Sequence, residues 1–431
     1  MSGDVAAPDG GAAGSDGGDE LSPEELRRKK VRKAKRAVRS ELSVSGGDWA
    51  RRGFAQSDVL DVAAVHDDLP RLDVRQPGAE ALFRSQFEVP RVPCVLSHAM
   101  DTWPCFGGPQ KWTWEDLRAR FGEHRFKVGS DDDGYAVRLR FSHFCDYLED
   151  PTVHGAAADD SPLYVFDGTF AERDSGGALL RDYVPPPLFA DDLFALVGEK
   201  RRPPYRWIVF GPPRSGSSLH IDPLATSAWN ALCQGRKRWV LIPPGTPRSA
   251  VKPKGVPDSS EAVGWFTHIL PRCLAPDWPH GPVLQCIQHP GEVIFVPAGW
   301  WHAVLNLDAT LAVTQNVATA ANFESVWRHT RVARPKLAAK WLAQLRARRP
   351  ELAAQADACE AAGYGDVSES SPSSSSSSTS SSASSDDEEP LPAQTQTQTH
   401  AVLPQKRASP VWDGQGATWS RRAAPATTTA A

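Results

Sequence analysis

The sequence predicts a mainly β protein built as a sandwich, jelly roll or barrel, and three observations predict it. Short segments rich in β-branched and aromatic residues dominate the stretch from Ser161 to Ala318: LYVF, YRWIVF, SSLHID, RWVLIP, EVIFVP, HAVLNL and TLAVTQNV. Proline and glycine turns separate them at short intervals. The regular alternation of strand and helix that marks a doubly wound α/β sheet is missing there.

The chain divides into six parts by composition and periodicity. These are 1–20, acidic and glycine-rich; 21–45, a basic helix; 46–160, a flanking α/β region; 161–320, the β core; 321–362, C-terminal helices; and 363–431, a serine-rich and acidic tail. Residues 1–20 carry almost no large apolar side chain, too little to offset the entropy of ordering, and are expected to be disordered. Ser22-Pro23-Glu24-Glu25 then reads as a helix start, with a capping hydroxyl, a proline in the first turn and an acid three residues after the serine. Nine Lys or Arg follow in the thirteen residues from Arg27 to Arg39. Such a run is either a solvated helix face or a signal for nuclear import or phosphate binding.

In the flanking region TWEDLRARF has a threonine cap and helical apolar spacing, whereas FKVGS and YAVRLRF alternate as strands do. After Asn322 the pattern turns helical: VWRHTRV, a stop at Pro335, KLAAKWLAQLRARR, then ELAAQADACEAAG. These helices either brace the β core or form a dimer surface. The serine run at 367–385 and the acids from Asp386 to Glu389 form a low-complexity tail that cannot build a core.

Composition excludes several classes. Hydrophobic residues make up 40% of the chain and include 15 tryptophans, enough for a core that needs no staples. The seven cysteines are scattered and never spaced as CxxC, which argues against a disulfide framework and a zinc site and favours a reducing intracellular compartment. No run of ~18 apolar residues is present to span a membrane, and the N-terminus lacks the apolar stretch of a signal peptide, so a soluble protein is expected.

The chemistry concentrates in a few polar residues of the β core. His220-Ile221-Asp222 lies at the end of a strand, where residues two apart face the same side. His302, 80 residues beyond Asp222, follows the Pro-Gly turn and the strand EVIFVPAGWW, and can approach from a crossing strand. Two imidazoles and one carboxylate on one face leave open coordination positions, which suits iron(II) oxygenase chemistry. Zinc tolerates the same ligands but usually works with a neighbouring acid, where this chain has a lysine and hydroxyls. Lys237 and Thr314 sit in segments that otherwise read as buried. A buried ammonium needs an anion or an escape to solvent. A dicarboxylate cosubstrate supplies the anion: its keto-acid end chelates iron while its far carboxylate meets Lys237, Thr314 and the Tyr164 hydroxyl. Asn230 and Asn316 are candidates for nearby amide bonds.

The stretches GEKRRPPYRWIVFGPPRSG, HIDPLATSAWNALCQGRKRW, PGEVIFVPAGWWHAVLNLD and ARPKLAAKW resemble the Jumonji-C family, in particular its bifunctional arginine demethylases and lysyl-hydroxylases. The resemblance runs from about Arg27 to Leu352 and takes in SPLYVFD and the basic segment. It implies a double-stranded β-helix, a cupin-like jelly roll, with Fe(II) at His220, Asp222 and His302. It also implies 2-oxoglutarate at Tyr164, Asn230, Lys237 and Thr314, and dioxygen as the second cosubstrate. It further implies lysine hydroxylation of proteins such as splicing factors and histones, arginine demethylation, nuclear location, RNA binding and self-association. Ala225 stands where the resemblance leads one to expect glycine, and Cys233 and Arg236 replace other residues beside the cosubstrate strand. Asp167 and Trp207 are candidates to receive a charged substrate. The competing classes are a non-catalytic RNA or protein scaffold on a cupin barrel, and a zinc or manganese cupin acting on small molecules.

Overall fold

A computed structural model describes residues 21–363. The expectations for residues 1–20 and for the serine-rich and acidic tail lie outside the described residues. Within them the strands are β1 Arg71–Asp73, β2 Cys94–Ser97, β3 Arg125–Ser130, β4 Ala136–Arg140, β5 Val165–Asp167, β6 Arg206–Gly211, β7 Gly216–His220, β8 Ser227–Gln234, β9 Lys237–Ile242, β10 Leu284–Gln288, β11 Val293–Val296, β12 Trp301–Asn306 and β13 Thr310–Val317. A seven-stranded sheet runs β1-β2-β11-β8-β13-β6-β5, a four-stranded sheet runs β10-β9-β12-β7, and β3-β4 form a separate hairpin. All pairings are antiparallel except β1 with β2. The crossovers make the two larger sheets a jelly roll, as the sequence predicts.

Strand alternation decides which side chains enter the barrel, because neighbours along a strand point to opposite faces. Ala228, Ile294 and Val296 of the large sheet pack against Trp239, Leu241 and Val304 of the small one, which identifies the inner faces. Trp229, Ala231, Val293, Phe295, Leu311 and Val313 face outward, into the layer built by the N-terminal region. Val240, Ile242, Ala303 and Leu305 face outward on the small sheet, under the helix Ala262–His268. Both sheets are therefore covered on both sides. That explains two of the strands the sequence pattern missed: SAWNALCQ (β8) and LQCIQ (β10) are largely buried on both faces, so they show no polar alternation and carry few β-branched residues.

The N-terminal helix spans Pro23–Val38 and opens with the expected capping box: Glu25 N–H donates to Ser22 Oγ at 3.2 Å, and Ser22 N–H donates to Glu25 Oε2 at 2.8 Å. Its basic run is not a uniformly solvated face. Lys35 is buried, 2.6 Å from Asp159 Oδ1 and 4.3 Å above the Trp49 ring, and Arg28 and Arg39 reach Asp150 and Glu261. Lys29, Lys30, Arg32, Lys33 and Arg36 remain exposed.

After the barrel come helices Phe323–Ala333, Pro335–Arg348 and Pro350–Ala362, the last two opened by prolines. Trp327, Trp341, Leu345, Leu352 and Ala356 bury against Leu193 and Phe194, and the Trp341 indole donates to Leu193 O at 3.0 Å. Bracing is thus a role these helices perform. The seven cysteines are free and buried, and no helix among the described residues is long and apolar enough to cross a membrane.

Candidate metal centre and cosubstrate pocket

β7 ends on His220, and the β7–β12 register sets His302 directly opposite it. The two rings lie 4.2 Å apart between centroids. His220 Nδ1 is 2.8 Å from Ser218 O and His302 Nδ1 is 3.1 Å from Trp300 O. Donation to these carbonyls assigns the proton to Nδ1 in each ring and leaves Nε2 as a lone-pair donor. Both Nε2 atoms lie 3.9 Å from Asp222 Oδ1, too far to be hydrogen-bonded, and one donor atom from each of the three residues falls within 4.8 Å of the others. Asp222 is reached by extended backbone two residues past His220. Burial holds its carboxyl above the usual range, and its Oδ2 is buried with no hydrogen-bond partner. Burial, helped by His302, pushes His220 down to about 3, so the ring stays neutral. Two neutral imidazoles and a carboxylate with an unused oxygen around a gap of ionic size fit a divalent transition metal such as iron(II).

Deeper in the barrel, Lys237 takes the inner face of β9 at 1% exposure. No carboxylate pairs with it among the described residues, and burial pushes its ammonium down to about 7. Asn306 lies directly opposite it on β12, its amide donating to Ser215 Oγ at 2.9 Å, and the Tyr164 side chain stands beside Asn306. Burial raises the Tyr164 phenol above its ordinary range. The ring lies against the backbone of Gly211, where a Cβ would come within 2.5 Å of it. Thr314 and Asn230 face each other across β13 and β8; the threonine hydroxyl donates to Trp229 O at 2.8 Å. Asn230 Oδ1 and Asn306 Oδ1 are buried without partners. A cation without an anion, on the inner face of the barrel beside Tyr164 and Thr314, fits the far carboxylate of a small diacid.

A family profile described as "JmjC domain, hydroxylase" matches residues 207–317. The chain is 43% identical over 350 residues to the bifunctional arginine demethylase and lysyl-hydroxylase psr-1 of Caenorhabditis elegans, across 80% of this chain and 83% of that protein. The chain belongs to the JmjC family of iron- and 2-oxoglutarate-dependent hydroxylases. More distant relatives of this JmjC hydroxylase include the arginine-specific demethylase JMJ22 of Arabidopsis thaliana, 38% identical over 57% of this chain and 45% of that protein. The 2-oxoglutarate and iron-dependent oxygenase JMJD4 of Homo sapiens is 29% identical over 59% of this chain and 63% of that protein.

The structure redistributes several residues of this JmjC hydroxylase. Asn316, expected beside the cosubstrate, instead stands at the metal end, beside Asp222, whose carboxyl it pulls down against the effect of burial, and its amide donates to Thr226 Oγ1 at 2.9 Å. Asp167 points out of the barrel and is fully engaged: Arg138 lies 2.8 Å away, and the Lys127 N–H and the Thr169 N–H and hydroxyl donate to it. It is a structural carboxylate and not a substrate contact. Trp207 does line the interior, between Phe166 and Thr314, at 9% exposure. Asn306 was missed, although it lies four residues after His302 in one strand and so shares its face. Leu224 and Ala225, just past Asp222, have φ of 55° and 52°. This left-handed turn accounts for the glycine expected at 225. Leu224 packs on the C-terminal helical cluster, which braces the turn from outside. Arg236 pairs with Asp308 at the surface.

Proposed function

We propose that this JmjC hydroxylase oxidises lysine side chains of proteins and, in the same site, removes methyl groups from arginine. The observation that carries the site assignment is the convergence of His220, Asp222 and His302 in a barrel that also buries Lys237, which has no counter-charge among the described residues. The substrate class rests on the likeness to psr-1, which extends over 83% of that protein.

In this reading His220 Nε2, His302 Nε2 and an Asp222 carboxylate oxygen hold iron(II), and Asn316 orients the carboxylate. Lys237, Tyr164, Thr314 and Asn230 hold 2-oxoglutarate. Bound iron with 2-oxoglutarate and dioxygen supplies the oxidation of a C–H bond to C–OH, with release of succinate and carbon dioxide. The residues supply placement and protonation. Lys237 regains a full positive charge when a carboxylate sits against it, because an opposite charge favours the ammonium. The apolar wall of Trp207, Val209, Leu232 and Ala312 keeps water from the cosubstrate. A lysine methylene so oxidised would end as hydroxylysine. On an N-methyl group the same oxidation gives a hydroxymethyl that loses formaldehyde.

Lysine- and arginine-rich proteins such as splicing factors or histones are the proposed substrates. The exposed basic residues Lys29, Lys30, Arg32, Lys33 and Arg36 support a nuclear setting and a secondary affinity for RNA. The test is mass spectrometry of lysine- and methylarginine-containing peptides incubated with Fe(II), ascorbate and 2-oxoglutarate. Gain of one oxygen on lysine is expected, with loss of a methyl group on arginine as the second product. Succinate release with every peptide unchanged would refute the substrate assignment.

A further inference from the structure

Two of the seven buried cysteines touch each other. Cys105 Sγ lies 3.6 Å from Cys233 Sγ, although 128 residues separate them. Cys105 belongs to the N-terminal layer over the large sheet. Its N–H donates to Asp182 O at 2.9 Å, and its carbonyl accepts from Trp112 N–H at 2.8 Å. Cys233 lies on β8, where the register against β13 slips: Gln234 pairs with Leu311 and Leu232 with Ala312, leaving Cys233 as the extra residue of a bulge. Among the described residues no other pair of cysteine sulfurs makes such a contact.

We propose that Cys105 and Cys233 are an oxidative modification site: peroxide converts them into a reversible disulfide that ties the N-terminal layer to the β8 bulge. The step balances with hydrogen peroxide as oxidant. One thiolate attacks the peroxide O–O bond, giving a sulfenic acid and, after proton transfer, water. The second sulfur then attacks that sulfenic sulfur and expels a second water. Two thiols lose two electrons and two protons, and one peroxide becomes two waters. The sulfurs close from 3.6 Å to about 2.05 Å. A bulge residue has no ladder partner to hold it back, so β8 can yield at this position. Burial and the adjoining Cys105 hold the Cys233 thiol well above its ordinary range, so little thiolate is present and the cross-link forms slowly, under sustained peroxide.

The bond has a consequence for the proposed cosubstrate pocket, and this part rests on that reading. Cys233 stands three residues after Asn230 and four before Lys237, and the turn between β8 and β9 is tight, with Gly235 at φ 79°. Drawing the bulge outward toward Cys105 shifts both residues that frame the pocket and weakens 2-oxoglutarate binding.

The test uses the full-length, metal-free protein, so that peroxide cannot act through iron. After peroxide and its removal with catalase, the protein is denatured, alkylated and digested. One cross-linked pair joining the Cys105 and Cys233 peptides is expected, two hydrogens lighter than the reduced pair and abolished by dithiothreitol. Cys94 and Cys286, equally buried, should alkylate fully. Cys105 and Cys233 alkylated separately, or sulfinic acid at either without a cross-link, would overturn the site whatever the enzyme's substrate. After iron is restored, the oxidised protein should show a several-fold higher KM for 2-oxoglutarate, reversed by dithiothreitol. Cys105→Ala and Cys233→Ala, treated alike, should not change. A cross-link with unchanged KM would overturn the link to the pocket and leave the catalytic reading untouched.

Discussion

Replacing Lys237 with methionine should stabilise the metal-free protein while removing its response to 2-oxoglutarate. Lys237 is 1% exposed, and burial lowers its pKa from 10.5 to about 7 with no carboxylate among the described residues to offset it. A gap of this size at about 1.4 kcal/mol per unit makes the folded state worse by roughly 3–5 kcal/mol when the ammonium is charged. Because the folded pKa is the lower one, the unfolded chain holds the extra proton between pH 7 and 10.5. The penalty is therefore full below pH 7 and disappears as pH rises toward 10.5. Methionine matches the aliphatic stem and carries no charge. Lys237→Met should raise the melting temperature by roughly 6 °C or more at pH 6.5, at about 2 °C per kcal/mol for a chain of this size, and the advantage should shrink by pH 10. Anaerobic 2-oxoglutarate should raise the melting temperature of the parent protein and leave that of the variant unchanged. The reasoning fails if Lys237→Met is less stable at pH 6.5, or if the variant is still stabilised by the diacid.

Asp167→Asn should cost about 3 kcal/mol in urea unfolding by breaking the buried pair with Arg138, with turnover per folded molecule unchanged; a loss of turnover at unaltered stability would return Asp167 to a substrate role. Ala225→Gly relieves a left-handed φ of 52° and should add about 1 kcal/mol to stability at constant m-value; a destabilised variant would contradict the strain argument. Trp341→Ala empties a fully buried site and severs the bond to Leu193, so chemical denaturation should show a loss of about 3–5 kcal/mol.

The sequence carried the parts of the fold that depend on local pattern. Alternation in YRWIVF and TLAVTQNV, the serine cap at Ser22 and the prolines at 335 and 350 all speak through neighbours in the chain. The clustering of His220, Asp222 and His302 was legible for a related reason, since residues two apart in extended chain share a face, whereas the turn that brings His302 to the start of β12 reads as strand. What stayed hidden depends on partners distant in the chain. β8 gave no alternation because both its faces are covered. Asp167 looked available only because Arg138, Lys127 and Thr169 could not be placed against it. Lys35 looked like one more surface cation until Asp159 and Trp49 closed over it.

The most direct test of the metal centre is anaerobic iron(II) titration of the purified protein by calorimetry, with Asp222→Ala and His302→Ala alongside. One iron per chain should bind to the parent protein, and neither variant should bind it, while circular dichroism stays the same for all three. Stoichiometric iron in both variants would mean that His220, Asp222 and His302 do not form the site.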